Sequence, residues 1–173
     1  MKQKTTFGVV YTAIFAALIC VATMLIRIPI PATGGYANLG DGIILICALI
    51  LPPSWAALGA GIGSMIADLL AGYAAYAPAT LIIKAGMGWI AAMLFQKGFG
   101  KDTKKLCLLA SAMISEVWMI LGYFAFEALI LGMGLGAAAG IPGNIGQGAV
   151  GMLVAAAALP AVKVIKNKMQ LSH

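Results

Sequence analysis

Charge is what this sequence has least of. Charged side chains make up 9% of the 173 residues and hydrophobic ones 62%, whereas a soluble domain carries about 25% charged residues. The 11 Lys and Arg and the 5 Asp and Glu are too few to form the polar shell of a water-soluble fold of this length. The apolar content excludes disorder, and the glycines follow no collagen period. Cysteine is sparse as well. Cys20, Cys47 and Cys107 each lie in an apolar stretch without a CxxC or CxxH partner, which is the setting of packing residues rather than of a disulfide framework, a redox pair or a metal site. The one histidine is His173. There is no HExxH and no Ser/His/Asp set, and Gly98-Phe99-Gly100-Lys101-Asp102 lacks both the spacing and the hydroxyl of a phosphate-binding loop. Neither an enzyme nor an ATPase is expected, and no cofactor or metal.

What is present is a series of apolar runs, with a mean hydropathy of +1.03. Breakers divide them into six segments, at about 7–26, 41–51, 55–71, 78–95, 106–131 and 144–162. Each is expected to be a helix of an all-α integral membrane bundle, one domain over residues 1–173. The first has no small-residue cleavage site before Arg27 and is expected to stay as a helix. The second is too short to cross a hydrocarbon core of about 30 Å unaided. No internal repeat is evident, which argues against the inverted-repeat transporter folds.

The net charge of +6 does not point to nucleic acid, because the basic residues are not interleaved with the aromatic and polar residues of a binding face. They gather in three patches: Lys2 and Lys4, then Lys97, Lys101, Lys104 and Lys105, then Lys163, Lys166 and Lys168. The positive-inside rule puts all three in the cytoplasm. Four crossings and then two satisfy that rule, so six helices with both termini inside are expected in a multi-pass protein of the cell membrane. The loop 27–40, the turn 72–77 and the Gly/Ala stretch before Pro142 then face outward.

An ionisable side chain in a membrane core costs several kcal/mol on insertion scales, roughly 2.5–3.5, so each one here has a structural or functional reason. At about 100° per residue, Glu116, Tyr123 and Glu127 fall within about 20° of one line. Such a stripe must face the bundle interior or a wet cavity, as a site or as a structural hydrogen bond. Lys84 and Asp68 sit where they can meet as an ion pair, or else contact a ligand. Asp41 follows Asn38 and Gly40 at the outward mouth, as an N-cap or as a site residue. Asn144 and Gln147 share one face at the start of the sixth helix, where free N–H groups and two carboxamides suit an electron-rich ligand; ligand contact is favoured over capping by Asn144 alone, which would leave Gln147 unexplained. Tyr36, Trp89, Tyr73 and Tyr76 stack on a ring or form an interfacial belt, the belt being favoured for the two turn tyrosines. Ala13 and Ala17, with Gly59, Gly63 and Ala67 of the third segment, have the small-residue spacing that lets helices approach closely.

Several stretches together carry a resemblance: the basic start, Ala13-x-x-x-Ala17, Tyr36-Ala-Asn-Leu-Gly-Asp41, Ala67-Asp-Leu-Leu-Ala-Gly-Tyr73, Tyr76-Ala-Pro-Ala-Thr-Leu-Ile-Ile-Lys84, and Pro142-Gly-Asn-Ile-Gly-Gln147. The chain resembles the substrate-binding S component of energy-coupling-factor (ECF) vitamin transporters, in the branch covering riboflavin, hydroxymethylpyrimidine, pyridoxine and pantothenate. The resemblance implies a six-helix bundle that captures a vitamin from outside and topples in the membrane when driven by a transmembrane coupling subunit and two cytoplasmic ATPases. It implies that Asn38, Lys84, Glu127, Asn144 and Gln147 approach the ligand, and that Ala13 and Ala17 meet the coupling subunit. Asp41 and Tyr123 join the candidate site from the residue-level reading. An amide pair, carboxylates and one lysine suit a small polar ring with hydroxyl or amine groups, pyridoxine or hydroxymethylpyrimidine before pantothenate or riboflavin. Lys84 suits an anion such as pantothenate if Asp68 leaves it unpaired. The competing readings are a membrane enzyme using Glu116 and Glu127 as acid and base, and a ligand-free helical channel or scaffold.

Overall fold

The computed structural model describes residues 2–95 and 105–171, with side chains over 6–95 and 108–166. Lys97, Lys101, Lys104 and His173 lie outside the described residues, as do the side chains of Lys2, Lys4, Lys105, Cys107 and Lys168.

The first helix, α1 (Lys2–Leu25), ends where Arg27-Ile-Pro-Ile-Pro forces extended backbone. The next stretch is not the plain loop the sequence suggests. Strands β1 (Arg27–Ile30) and β2 (Gly35–Asn38) pair antiparallel, Arg27 opposite Asn38 and Ile30 opposite Gly35. Gly34, at φ +72°, closes the turn. A two-stranded ribbon has no central strand, so Pro29 is tolerated in it.

Helix α2 (Gly40–Ile50) stops at Pro52, and Pro53 opens α3 (Pro53–Ala71), which ends on the left-handed Gly72. Helix α4 (Ala77–Met93) carries Pro78 in its first turn. Helix α5 (Lys105–Ala125) runs on into a π turn, Phe126–Ile130, and a 3-10 segment, Gly134–Gly140, leads into α6 (Ile141–Leu171). The sixth helix therefore starts before the expected 144 and runs well past 162. Its 31 residues span about 46 Å, longer than a hydrocarbon core. Four stretches, Thr6–Leu25, Pro53–Ala71, Leu108–Ile130 and Gly134–Lys166, are long and apolar enough to cross a membrane; Gly40–Ile50 and Ala77–Met93 are shorter apolar helices.

Glycine contacts define the helix directions. Gly8 meets Trp55, Gly59 meets Thr12 and Gly63 meets Ala16, so α1 and α3 run parallel. Gly61 meets Leu81 while Gly88 meets Ala56, so α4 runs back along α3. Gly86 meets Trp118 and Gly122 meets Ile83, which makes α5 antiparallel to α4. Helices α1, α3 and α5 thus share one direction and α4 runs against them, as alternating crossings require. Ile44, Leu45, Cys47, Leu51, Ala60, Met87 and Met119 are fully buried in the core, while Val9, Ile14, Ile82, Leu129 and Leu153 are exposed. Large apolar side chains on the outside are what a lipid-facing surface requires.

A β-carbon on Gly63 would stand 2.5 Å from the backbone oxygen of Ala16, too close for any side chain. Gly63→Val is expected to separate α1 from α3 and cost about 1–3 kcal/mol, read as a lower melting temperature of the purified protein. Gly146→Ala, where nothing lies within 4 Å, is the matched control and is expected to be neutral or slightly stabilising.

Candidate functional site

In the outward half of the bundle the costly polar groups converge. Tyr123 and Glu127 from α5 and the π turn, Asn144 and Gln147 from α6, and Asn38 from β2 line one cavity. Ile30, Gly35 and Tyr36 of the hairpin, Asp68 of α3, and Tyr76 and Thr80 of α4 complete it. The cavity is tight, ≈ 20 Å³, room for about one water molecule.

The hairpin forms its roof and is tied down at three points. The Tyr36 hydroxyl donates to Asp68 Oδ1 at 2.5 Å, and its ring packs on Tyr73 with centroids 4.5 Å apart. Burial, reinforced by the Asp68 carboxylate, pushes the Tyr36 phenol well above the usual tyrosine range, so it stays a donor. The Asn38 backbone N–H donates to Gln147 Oε1 at 2.8 Å, and the Tyr76 hydroxyl donates to the Thr33 carbonyl at 2.7 Å. On the α4–α5 side, Thr80 Oγ1 and Tyr123 Oη lie 3.0 Å apart, and Glu127 Oε1 is 3.2 Å from Tyr76 Oη. Glu127 is the second residue of the π turn, whose wider winding re-aims side chains relative to the helix before it.

Beneath the cavity Asp41 and Lys84, 0% and 2% exposed, form an ion pair. Gln147 Nε2 donates to Asp41 Oδ2 at 2.6 Å, and the Lys84 ammonium lies 5.6 Å from the Tyr123 ring centroid. Asp41 and Lys84 thus support the cavity without lining it. The pairing of Lys84 with Asp68 weighed from sequence is replaced: Asp41 holds the lysine, and Asp68 accepts from Tyr36. Nor is Asp41 an N-cap. It lies in the first turn of α2, where Leu39 is the cap residue, and Asn38 Oδ1 accepts the Gly40 N–H at 2.8 Å. Asn144 is likewise inside α6, which begins at Ile141, so capping does not explain it.

The stripe on α5 divides. Tyr123 and Glu127 reach the cavity, whereas Glu116, eleven residues deeper, is buried with its carboxyl against Gly148 of α6. Trp89 is 46% exposed and lies away from the site. Tyr76, assigned to an interfacial belt by its place in a turn, is buried in the cavity wall. Sequence reasoning missed Thr80 and misassigned Tyr76, yet a signal was there: Tyr76, Thr80 and Lys84 recur every four residues, a polar stripe on one face of α4.

Among the lining carboxylates, Asp68 Oδ2 and Glu127 Oε2 are buried with no hydrogen-bond partner. With Lys84 committed to Asp41, the cavity presents free acceptors and neutral amide and hydroxyl groups, an arrangement suited to a ligand rich in N–H or O–H donors. Removing one half of a buried ion pair leaves the other uncompensated. Lys84→Met is therefore expected to cost about 3–5 kcal/mol of stability, and adding Asp41→Asn to recover part of it, measured as a double-mutant cycle of unfolding in detergent.

The family model described as "ECF-type riboflavin transporter, S component" matches residues 3–166. A Lactococcus lactis protein, the thiamine precursor transporter HmpT, is 29% identical over 164 residues, covering 94% of this chain and 92% of its own. A Pyrococcus woesei protein described as uncharacterized, in the gap 3′ region, is 36% identical over 136 residues, covering 79% of this chain and 88% of its own. The family consists of membrane-embedded transporter subunits, so the acid–base enzyme alternative falls away. Six apolar helices around an outward polar cavity and a family match over almost the whole length agree: the chain belongs to the S-component family of ECF-type vitamin transporters, as a multi-pass membrane protein.

Proposed function

We propose that the cavity under the hairpin captures a small heteroaromatic vitamin or precursor carrying hydroxyl or amine donors, with pyridoxine or hydroxymethylpyrimidine ahead of pantothenate and riboflavin. The observation that carries this reading is the pair of unpartnered carboxylate oxygens, Asp68 Oδ2 and Glu127 Oε2, in a cavity whose nearby lysine is already neutralised. A buried acceptor without a partner costs about 1–3 kcal/mol, and a ligand N–H or O–H recovers it. An anion such as pantothenate meets the same oxygens as repulsion. Phenol rings of Tyr36, Tyr76 and Tyr123 around the cavity suit the faces and edges of a planar ring. Hydroxymethylpyrimidine is the pyrimidine half of thiamine, which accords with the thiamine precursor transporter among the relatives.

The captured ligand then passes inward only with partners, a transmembrane coupling subunit and two cytoplasmic ATPases. Ala13 and Ala17 support that part of the reading. Both are exposed on α1, about 100° around the helix from the Thr12 and Ala16 contacts with α3, and are flanked by exposed Val9, Ile14 and Leu18. Such a small-residue face admits close approach of another helix.

Thermal shift of the purified protein against these four compounds tests the capture step. The true ligand at a hundredfold excess over its Kd stabilises by about 2.7 kcal/mol, and hydroxymethylpyrimidine or pyridoxine is expected to do so while pantothenate does not. A flat response to all four overturns the reading. Glu127→Gln and Asn144→Ala are each expected to weaken binding about tenfold, about 1.4 kcal/mol, by calorimetric titration, without lowering the unliganded melting temperature by more than a few degrees.

For the docking face, Ala17→Leu is expected to leave affinity unchanged and to abolish ligand uptake by cells that carry the complete transporter. Undiminished uptake overturns the role of α1.

A further inference from the structure

A second cavity lies at the opposite end of the bundle and has no part in the capture site. It measures ≈ 160 Å³ and is walled by Leu45 and Leu49 of α2, Leu108 and Ala112 of α5, and Met152 and Leu159 of α6, with Phe95 closing its inner end. Every lining side chain is aliphatic, aromatic or thioether, so the space offers no partner to water, and a cavity of this kind stays dry and accepts an apolar guest. Its origin is legible in the sequence. Ala112, Ala155 and Ala156 put single methyl groups where α5 and α6 face one another, and Pro160 removes the N–H that the Ala156 carbonyl would otherwise accept.

Two further observations indicate the guest. The cavity opens on the outer surface of the bundle, where its lining residues Leu109 and Ala156 are exposed, so its mouth faces lipid. The wall it takes from α6, residues 152, 155, 156 and 159, has the three- and four-residue spacing of a single helix face. Continued by four and by seven residues from Leu159, that same face carries Lys163 and Lys166, exposed and half-buried. The apolar wall that α6 gives the cavity thus continues, one and two turns further along the same helix face, to two lysines at the cytoplasmic end of the helix.

We infer that this cavity is a lipid site: it seats one acyl chain of an anionic phospholipid of the cytoplasmic leaflet, whose phosphate lies against Lys163 and Lys166. Long lysine side chains reach the headgroup layer from a helix end, and each contributes to the attraction of an anionic leaflet. The site lies among α2, α5 and α6, apart from the exposed face of α1, and holds independently of which vitamin occupies the outward cavity.

Native mass spectrometry and melting temperatures of the detergent-purified protein test this, with palmitoyl-oleoyl phosphatidylglycerol compared against the phosphatidylcholine of identical chains. The phosphatidylglycerol is expected to remain bound at one copy and to raise the melting temperature several degrees more than the phosphatidylcholine. The Lys163→Gln/Lys166→Gln variant is expected to bind phosphatidylglycerol roughly thirtyfold more weakly, the scale of two lysine contacts with an anionic surface, while binding the vitamin normally. Ala112→Leu/Ala156→Leu fills the cavity and is expected to abolish retention of either lipid without lowering the unliganded melting temperature. Equal shifts with the two lipids in the unmodified protein overturn the headgroup assignment. Full retention of phosphatidylglycerol by the filled variant overturns the chain site. Undiminished lipid binding by the filled variant together with lost assembly with the coupling subunit makes the cavity a protein interface instead.

Discussion

Placing a charge inside a bilayer is so unfavourable that one ion pair organises the outward half of this molecule. Asp41 of α2 and Lys84 of α4 neutralise each other in the bundle interior, and the carboxylate's second oxygen accepts a hydrogen bond from the Gln147 Nε2–H of α6. Gln147 in turn accepts the Asn38 N–H of the hairpin. A single chain of polar contacts therefore joins α4, α2, α6 and β2. None of these groups finds an equivalent partner in lipid, so sliding any one element breaks more than one contact at once. Helix α2, at 11 residues, cannot span the membrane by itself, and it is the element that carries Asp41.

Small residues set the distances at which these contacts are possible. Gly61 and Gly88 bring α3 and α4 so close that a β-carbon on either would stand within 3 Å of the other helix's backbone oxygen. That approach brings Asp68 on α3 and Thr80 on α4 into the wall of one cavity. Gly151 does the same for α6 against Asp41, and Gly148 against Glu116. With no hydrophobic driving force between helices in lipid, close backbone packing supplies the attraction, and here it also sets the register of the polar groups.

The helices were legible because their ends carry strong local signals: Arg27 with Pro29, Pro52-Pro53, Pro78 and Pro142 each fall at or next to a boundary. The hairpin was not, since four-residue strands containing a proline show no clean alternation. The convergence of Tyr123, Glu127, Asn144 and Gln147 on one cavity followed from the cost of burying such groups and from helical spacing, whereas Asn38 was indicated only by the family resemblance. The partner of Lys84 did not. Asp68 is nearer in sequence and lies on the neighbouring helix, and only the docking of the hairpin, which gives Asp68 the Tyr36 hydroxyl, frees the lysine for Asp41. Helical periodicity also assumes one uniform winding. The π turn at Phe126–Ile130 departs from it at Glu127 itself, and depth separates Glu116 from the residues that share its line.

If the cavity captures the ligand as proposed, its tightness bears on how selectivity arises. At ≈ 20 Å³ it is too small for an aromatic ring, so on that reading a ligand enters as roof contacts open. The contacts available to open are hydrogen bonds: Tyr36 to Asp68, Tyr76 to Thr33, and the Asn38 N–H to Gln147. Exchanging an internal hydrogen bond for an equivalent one to a ligand is close to neutral in free energy, so replacement alone gives little affinity. On the proposed reading the surplus comes from atoms that have no partner before binding, Asp68 Oδ2 and Glu127 Oε2, together with the ring surface removed from water. A ligand that places donors on both oxygens gains at both, and an isostere lacking one donor leaves a buried acceptor unmet and loses far more than its buried area suggests. Under the proposed reading, discrimination among vitamins of similar size rests on two carboxylate oxygens rather than on cavity volume, with the Lys84 charge held by Asp41.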